Sequence, residues 1–317
     1  MSAYLVLFQQ TLIFTVPLLL VALGGMISEK SGITNVGLEG MMVMGAAAGI
    51  GFINVFQNEK SGQLFFTAAI LIAALAGGLF ALIHAYASIS INANQTISGT
   101  ALNIFAPAFA IFIAEAAYGQ RMIQFADTFV IRELKPFSDI PFIGYVLFKN
   151  VYITTPIALI VLIFTAWFLN RTPVGLRLGA CGEHPHAAAA VGVNVKKYQY
   201  AAVFVSGILS GIGGIAFVIP TSTSFNGSVA GYGFLALSLV IFGGWKPASI
   251  FGGAVFFGLM KAISCIYSSL PGIAELPIPA ELYRMMPYVI TLIVLALFSN
   301  KSAAPKSLGL PYSGEGK

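Results

Sequence analysis

Between Asn92 and Asn103 the chain sets Asn92, Asn94, Gln95, Thr96, Ser98, Thr100 and Asn103 into surroundings that are otherwise apolar. Amides and hydroxyls bind by donating and accepting hydrogen bonds, which suits a polar, uncharged solute. Helical spacing places Thr96, Thr100 and Asn103 on one face and Gln95 two turns from Asn103, with the Phe105 and Phe109 rings further along for stacking. The competing use of these side chains is hydrogen bonding between helices. Asn35 and Glu39 lie in a glycine-interrupted stretch, Gly32 to Gly40. Irregular backbone at bilayer depth needs its polar groups satisfied, and both side chains are placed to do so. For Glu39 the readings are an acceptor that pins a broken helix, a gate, or a group facing the cytoplasm. Thr221 to Ser224, Asn226 and Gly227 form a second polar, glycine-punctuated stretch, a weak echo of the first and consistent with an inverted repeat.

Bond-making chemistry has no such support. No Ser-His-Asp, Cys-His or paired-carboxylate arrangement stands out, so no catalytic residue is assigned. His84 falls in an apolar run while His184 and His186 are two residues apart near a helix start, so no metal site is expected and the histidines read as solvated or capping. Cys181 and Cys265 stand in separate segments without metal or redox spacing. No G-x-x-x-x-G-K-[ST] phosphate loop occurs, so ATP is not expected to be hydrolysed by this chain.

The elements that position these residues follow from composition. With 58% hydrophobic and 9% charged residues and a mean hydropathy of +0.89, the chain cannot be an ordinary soluble domain. It reads as an integral membrane protein, and nucleic acid is not an expected partner. Runs long enough to cross a bilayer fall near 5–27, 39–56, 64–86, 97–116, 151–169, 198–219, 249–269 and 284–299. The shorter run Tyr232 to Phe242, bounded by glycines, suits a half-helix or re-entrant element. The fold class is therefore all-α, a polytopic bundle of 8–10 spans over residues 1–300. The first run carries no Lys or Arg ahead of it and reads as a retained span.

Cations set the orientation. Arg171, Arg177, Lys196 and Lys197 share one loop, 170–197, and Lys301, Lys306 and Lys317 share the tail, 301–317. With nine crossings both lie on one face, cytoplasmic by the positive-inside rule, and the N-terminus lies outside. The segment 117–150 becomes an external loop carrying Phe125, Phe129, Phe137 and Phe142, either a cover for the outer mouth or a solvated connector.

Within the cytoplasmic loop, Pro185 suits a first helical turn, Ala187 to Ala190 favour helix, and Gly192 suits a C-terminal cap. A helix of about two turns is not stable alone in water. It needs either a cytosolic partner, for which the alanines offer a smooth face and Glu183, Lys196 and Lys197 charged flanks, or its own membrane domain.

Three blocks carry a resemblance. Gly182, Glu183, Pro185, Ala187, Ala188, Gly192 and Val193 fill the pattern G-E-x-P-x-A-A-x-x-x-G-[IV]. Glu29 to Gly32, with Asn35 to Met42, match E-[RK]-S-G-x-x-N-[IV]-G-L-E-G-M-M. In the third block, ANQTISGTALN, Ser98, Gly99 and Asn103 match more closely than Thr96 and Thr100. From about residue 10 to 300 the chain resembles permease subunits of bacterial ABC importers for branched-chain amino acids, ribose and nucleosides, and is most similar to the nucleoside branch.

The resemblance implies a bacterial inner-membrane importer in which two permeases, often non-identical, enclose the path. ATPases that hold ATP and Mg bind beneath, and an extracytoplasmic binding protein delivers a nucleoside. The 182–192 helix would be the coupling helix, so Glu183→Ala or Ala188→Trp should reduce transport while leaving substrate capture by the binding protein intact. Permeation of ribose or branched-chain amino acids is the close alternative, and an ion-coupled secondary carrier is the rival from another class.

Overall fold

A computed structural model describes residues 3–58, 61–126, 129–133, 149–270, 279, 281–283, 285, 289 and 304–313. The helices are α1 (Ala3–Lys30), α2 (Leu38–Phe56), α3 (Gln63–Ala85, extended by a π turn Tyr86–Ser90) and α4 (Gln95–Tyr118). They continue with α5 (Thr154–Arg171), α6 (Pro173–Glu183), α7 (Pro185–Ala190), α8 (Val195–Thr221), α9 (Tyr232–Phe242) and α10 (Pro247–Ile266). Among the described residues, seven of these are long and apolar enough to cross a membrane, and α9 is shorter. The run expected at 284–299 lies outside the described residues, as do Phe137 and Phe142 of the external loop.

The centre of the bundle is α8, against which α1, α2 and α3 pack. Lipid tails are as apolar as leucine, so helices in a membrane gain most where small residues let backbones come close. A Cβ on Gly211 would collide with the Ala73 carbonyl of α3, one on Gly45 of α2 with the Gly211 backbone, and one on Gly214 with the Met42 carbonyl. Around this column Leu18 to Leu23, Met41, Met42, Ile50, Ile53 and Phe66 form the buried core.

The two ends of the bundle differ. At one end short antiparallel strands tie the loops together: β1 (Ile123–Gln124) pairs with β4 (Ser224–Phe225), and β2 (Ile131–Glu133) with β3 (Lys149–Val151). Phe125 and Phe129 are buried here, Phe129 stacked on Phe66 at 4.7 Å, so this part of the 117–150 loop is packed against the bundle and is no solvated connector. The strands, which an all-α reading does not anticipate, are too short to alter the class.

At the other end α6 and α7 lie between α5 and α8. Where one short helix is expected in the 170–197 loop, the chain forms two. Thr172 caps α6 by accepting the Gly175 N–H at 3.0 Å, with Pro173 in the first turn. Gly192, at φ +85°, closes α7: its N–H reaches Ala189 O at 2.9 Å and that of Val193 reaches Ala188 O at 3.1 Å, a Schellman pair. Residues 304–313 lie against this end, Ser307 N donating to Gly182 O at 2.9 Å.

Candidate functional site

The Gly32–Gly40 stretch breaks the chain inside the bundle. Ser31 and Gly32 turn back on Ser28 and Glu29 through N–H to carbonyl bonds of 3.0 and 2.9 Å, and Gly32 takes φ +94°. The chain then runs without helical hydrogen bonds until α2 begins at Leu38, beside Gly99 to Asn103 and thus well inside α4. Backbone groups exposed by such a break must be paired by neighbours.

Side chains from α3, α4 and α8 supply the pairing. Gln95 Oε1 accepts the Thr34 N–H at 2.7 Å, and the Thr34 carbonyl lies 3.0 Å from His84 Nε2. A carbonyl can only accept, so Nε2 carries the hydrogen and Nδ1 faces the Ser98 hydroxyl at 3.1 Å. Asn103 donates to Val36 O and accepts from Gly40 N, both at 2.8 Å. Asn35 donates to Ser206 Oγ at 2.9 Å, and Gln199 donates to Ser31 O at 3.4 Å.

Glu39 points the other way. Its Oε1 accepts the Gly231 N–H at 2.9 Å and its Oε2 the Gly233 N–H at 2.6 Å, so it caps the first turn of α9. The helix-capping positions of α2 and α9, Gly37 and Gly231, have no side chain to do this themselves. Asn103 caps α2, and the first turn of α2 caps α9. The carboxylate also meets the positive end of the α9 dipole. Of the readings open for Glu39, the pin on a broken helix is the one this geometry realises, though the broken helix is α9 and not its own.

One further contact joins residues remote in the sequence. Glu29, fully enclosed, accepts the Trp245 indole N–H at 2.6 Å and so ties the end of α1 to the end of α9. Trp245 sits at φ +55°, uncommon for a large side chain. Its place after Gly243-Gly244 was the available signal. The expectation of a solvated or capping His84 is corrected: it is fully buried among α3, α4 and the Thr34 loop.

The residues between 92 and 105 therefore separate into two groups. Gln95 and Asn103 are buried and clamp the 31–40 loop, so Asn103 does not share the open face expected for it with Thr96 and Thr100. Asn92, Asn94, Thr96, Thr100 and Phe105 are exposed on this chain. Asn94 additionally caps α4, accepting from Ile97 N at 3.1 Å, and Asn92 takes φ +55°, which asparagine tolerates. Phe105 is half exposed, stacked between Phe80 at 6.3 Å and Phe109 at 5.1 Å. Asn35 Oδ1 and Gln95 Nε2 are buried with no hydrogen-bond partner among the described residues.

At the α6–α7 end, Glu183, Ala187, Ala190, Val191 and Gly192 are exposed and Pro185 partly so, whereas Gly182 and Ala188 are buried. Ala188 packs with Cys181 and Val195 beneath the helix, and burial pushes the Cys181 thiol up. Ala188 therefore offers no surface to a partner. The Ala188→Trp test is corrected accordingly: it overpacks a small core and reads out folding of the knob that the end of α6 and α7 form over residues 182–192. A Cβ on Gly182 would collide with the Lys30 carbonyl, so the knob touches the end of α1 backbone to backbone.

The sequence profile of the family described as branched-chain amino acid transport system / permease component matches residues 7–295. The chain is 40% identical over 306 residues to the guanosine ABC transporter permease protein NupQ of Bacillus subtilis, covering 95% of this chain and 94% of that one. It is 38% identical over 302 residues to the nucleoside ABC transporter permease protein NupC of Lactococcus lactis, covering 95% and 94%. A more distant similarity, 22% over 302 residues and 94% and 81% of the two chains, links it to the nucleoside ABC transporter permease protein NupB of the same Lactococcus. A broken-helix bundle of apolar spans, with near full-length likeness to transporter permeases, places this multi-pass membrane chain in the branched-chain amino acid transport system permease family.

Proposed function

We propose that this chain is a permease subunit of an ATP-driven importer of nucleosides, lining half of the path and coupling it to a separate ATPase. The observation that carries this reading is the similarity to NupQ and NupC over about nineteen-twentieths of the chain. The exposed polar edge of α4, Asn92, Asn94, Thr96 and Thr100 followed by the Phe105 ring, offers hydrogen bonds for ribose and a surface for a base. Asn35, Gln95 and Asn103 frame that edge by holding the 31–40 loop beside it, and Glu39 ties α9 to the start of α2. A second, non-identical permease completes the path, a role for which a protein like NupB is the natural kind of candidate.

On this reading the α7 knob is the coupling helix, its exposed Glu183, Pro185, Ala187 and Gly192 meeting the ATPase while Gly182 and Ala188 seat it on the membrane domain. ATP and Mg belong to the ATPase, and an extracytoplasmic binding protein delivers the solute. The cationic 171–197 segment and residues 304–313 face the cytoplasm, and the N-terminus lies outside, in the plasma membrane of a bacterium.

The test is reconstitution of the permease pair with ATPase and binding protein in proteoliposomes. Labelled guanosine should accumulate only with ATP, and excess unlabelled nucleoside should compete while leucine and ribose do not. Accumulation driven by an ion gradient without ATP, or competition by leucine or ribose alone, would refute the reading.

A further inference from the structure

Residues 304–313 make contacts that a free tail would not. Pro305 is buried, and Ala304 and Leu308 pack against the main core. Ser307 N donates to Gly182 O at 2.9 Å and Ser307 Oγ to Glu183 O at 3.2 Å, both in the knob. Two residues on, Gly309 N donates to Gly32 O at 3.1 Å, at the turn that opens the broken helix. Gly309 holds φ +78°, a conformation that β-branched residues adopt only with strain. Further along, Tyr312 covers the small core of Cys181, Ala188 and Val195, its ring 5.1 Å from that of His186.

The arrangement bridges two parts of the chain that are remote in sequence. Gly182 and Gly32 lie against each other, yet among the described residues every hydrogen bond joining the 182–192 knob to the 31–37 loop runs through this segment. Van der Waals contact between two glycines resists compression but gives little resistance to separation or sliding. Hydrogen bonds from Ser307 and Gly309, both held in a turn closed by Leu308 N to Pro305 O and Leu310 N to Ser307 O at 3.1 Å, resist both. A pull on the knob is thus carried to the Gly32 turn, and from there to the Thr34, Val36 and Gly40 clamps.

We propose that residues 304–313 are a coupling strap, which makes the knob and the Gly32 turn move as one body when the ATPase closes. Ser307 and Gly309 are positioning residues in this scheme and touch neither solute nor ATPase. The proposal rests on the importer reading above. It goes beyond that reading in assigning force transmission to a segment outside the three signature blocks.

The experiment uses the complete reconstituted transporter with Gly309→Val and, separately, with residues 304–317 deleted. Guanosine uptake, ATP hydrolysis and co-purification of the ATPase are measured on the same preparations. The expected result is normal ATPase association, continued hydrolysis, and uptake per ATP reduced about tenfold, the scale of a typical coupling free energy. An unchanged uptake-per-ATP ratio in both variants overturns the strap. So does loss of ATPase association in proportion to uptake, since the segment would then only maintain the shape of the knob. ATP dependence of the unaltered transporter is read in parallel: its absence would sink the importer reading itself, whereas a normal ratio in the variants sinks the strap alone.

Discussion

The two glycine-punctuated lead-ins, 31–37 before α2 and 222–231 before α9, solve the same problem with different thoroughness. Each brings a helix start to a place where its first N–H groups lack partners, and each receives a cap from elsewhere in the chain. The first is enclosed: Ser31, Asn35 and Gly40 are buried, and His84, Gln95, Asn103, Gln199 and Ser206 bond to it from three helices. The second is open: Ser222, Thr223, Asn226, Ser228 and Ala230 are exposed, and it is held by Glu39, the short β4 pairing and local bonds such as Ala230 N to Ser228 Oγ at 3.2 Å. The lesson is one of hierarchy. The first break is built into the frame on all sides, whereas the second is joined to it through the Glu39 carboxylate and buries only Phe225, Gly227 and Val229, which leaves its polar residues the freer to rearrange.

Substitution can break this contrast. Asn103→Leu leaves the buried Gly40 N–H and the partly buried Val36 carbonyl unpaired, a loss of about 2–4 kcal/mol, with about 1–3 from the buried group. Yield and thermal stability of the purified permease should fall sharply. Glu39→Ala frees the Gly231 and Gly233 N–H groups, but Gly231 is partly exposed, so the cost is about 1–3 kcal/mol. Here transport should be lost while the protein is still recovered folded. A melting temperature lowered as far by Glu39→Ala as by Asn103→Leu would end the distinction between the two breaks.

Smaller changes sharpen it. Thr100→Ala removes an exposed hydroxyl and should leave stability within about 0.5 kcal/mol of the parent. A raised half-saturation concentration for guanosine is the expected effect, and unchanged uptake kinetics would remove Thr100 from the path. Ser228→Ala is the mildest: its hydroxyl accepts one exposed backbone N–H that water can satisfy, so melting temperature and uptake should both stay within error.

Much of this architecture is legible in the sequence because its signals are local. Runs of apolar residues bound the spans, Pro185 and Gly192 bracket α7, and the glycines mark both breaks. What could not be read is which distant group each polar side chain meets. Asn103 and Thr100 are alike in sequence terms, yet one clamps Val36 and the other faces outward, a difference decided by how α4 rotates against α2. The burial of Ala188 depends in the same way on Cys181, Val195 and Tyr312 folding beneath it, and α6 hides in a stretch whose hydrophobic residues are too few to mark a span. Glu29 and Trp245, 216 residues apart, could be matched only by folding the chain.

The contact of α8 with α2 and α3 through Gly211, Gly45 and Ala73 has a mechanical consequence. Where main chains abut with no side-chain layer between them, nothing soft is left to absorb a displacement. Val195 begins α8 directly beyond the α7 knob. A shift imposed there should arrive undamped at the middle of the membrane, with three spans swinging like a single lever.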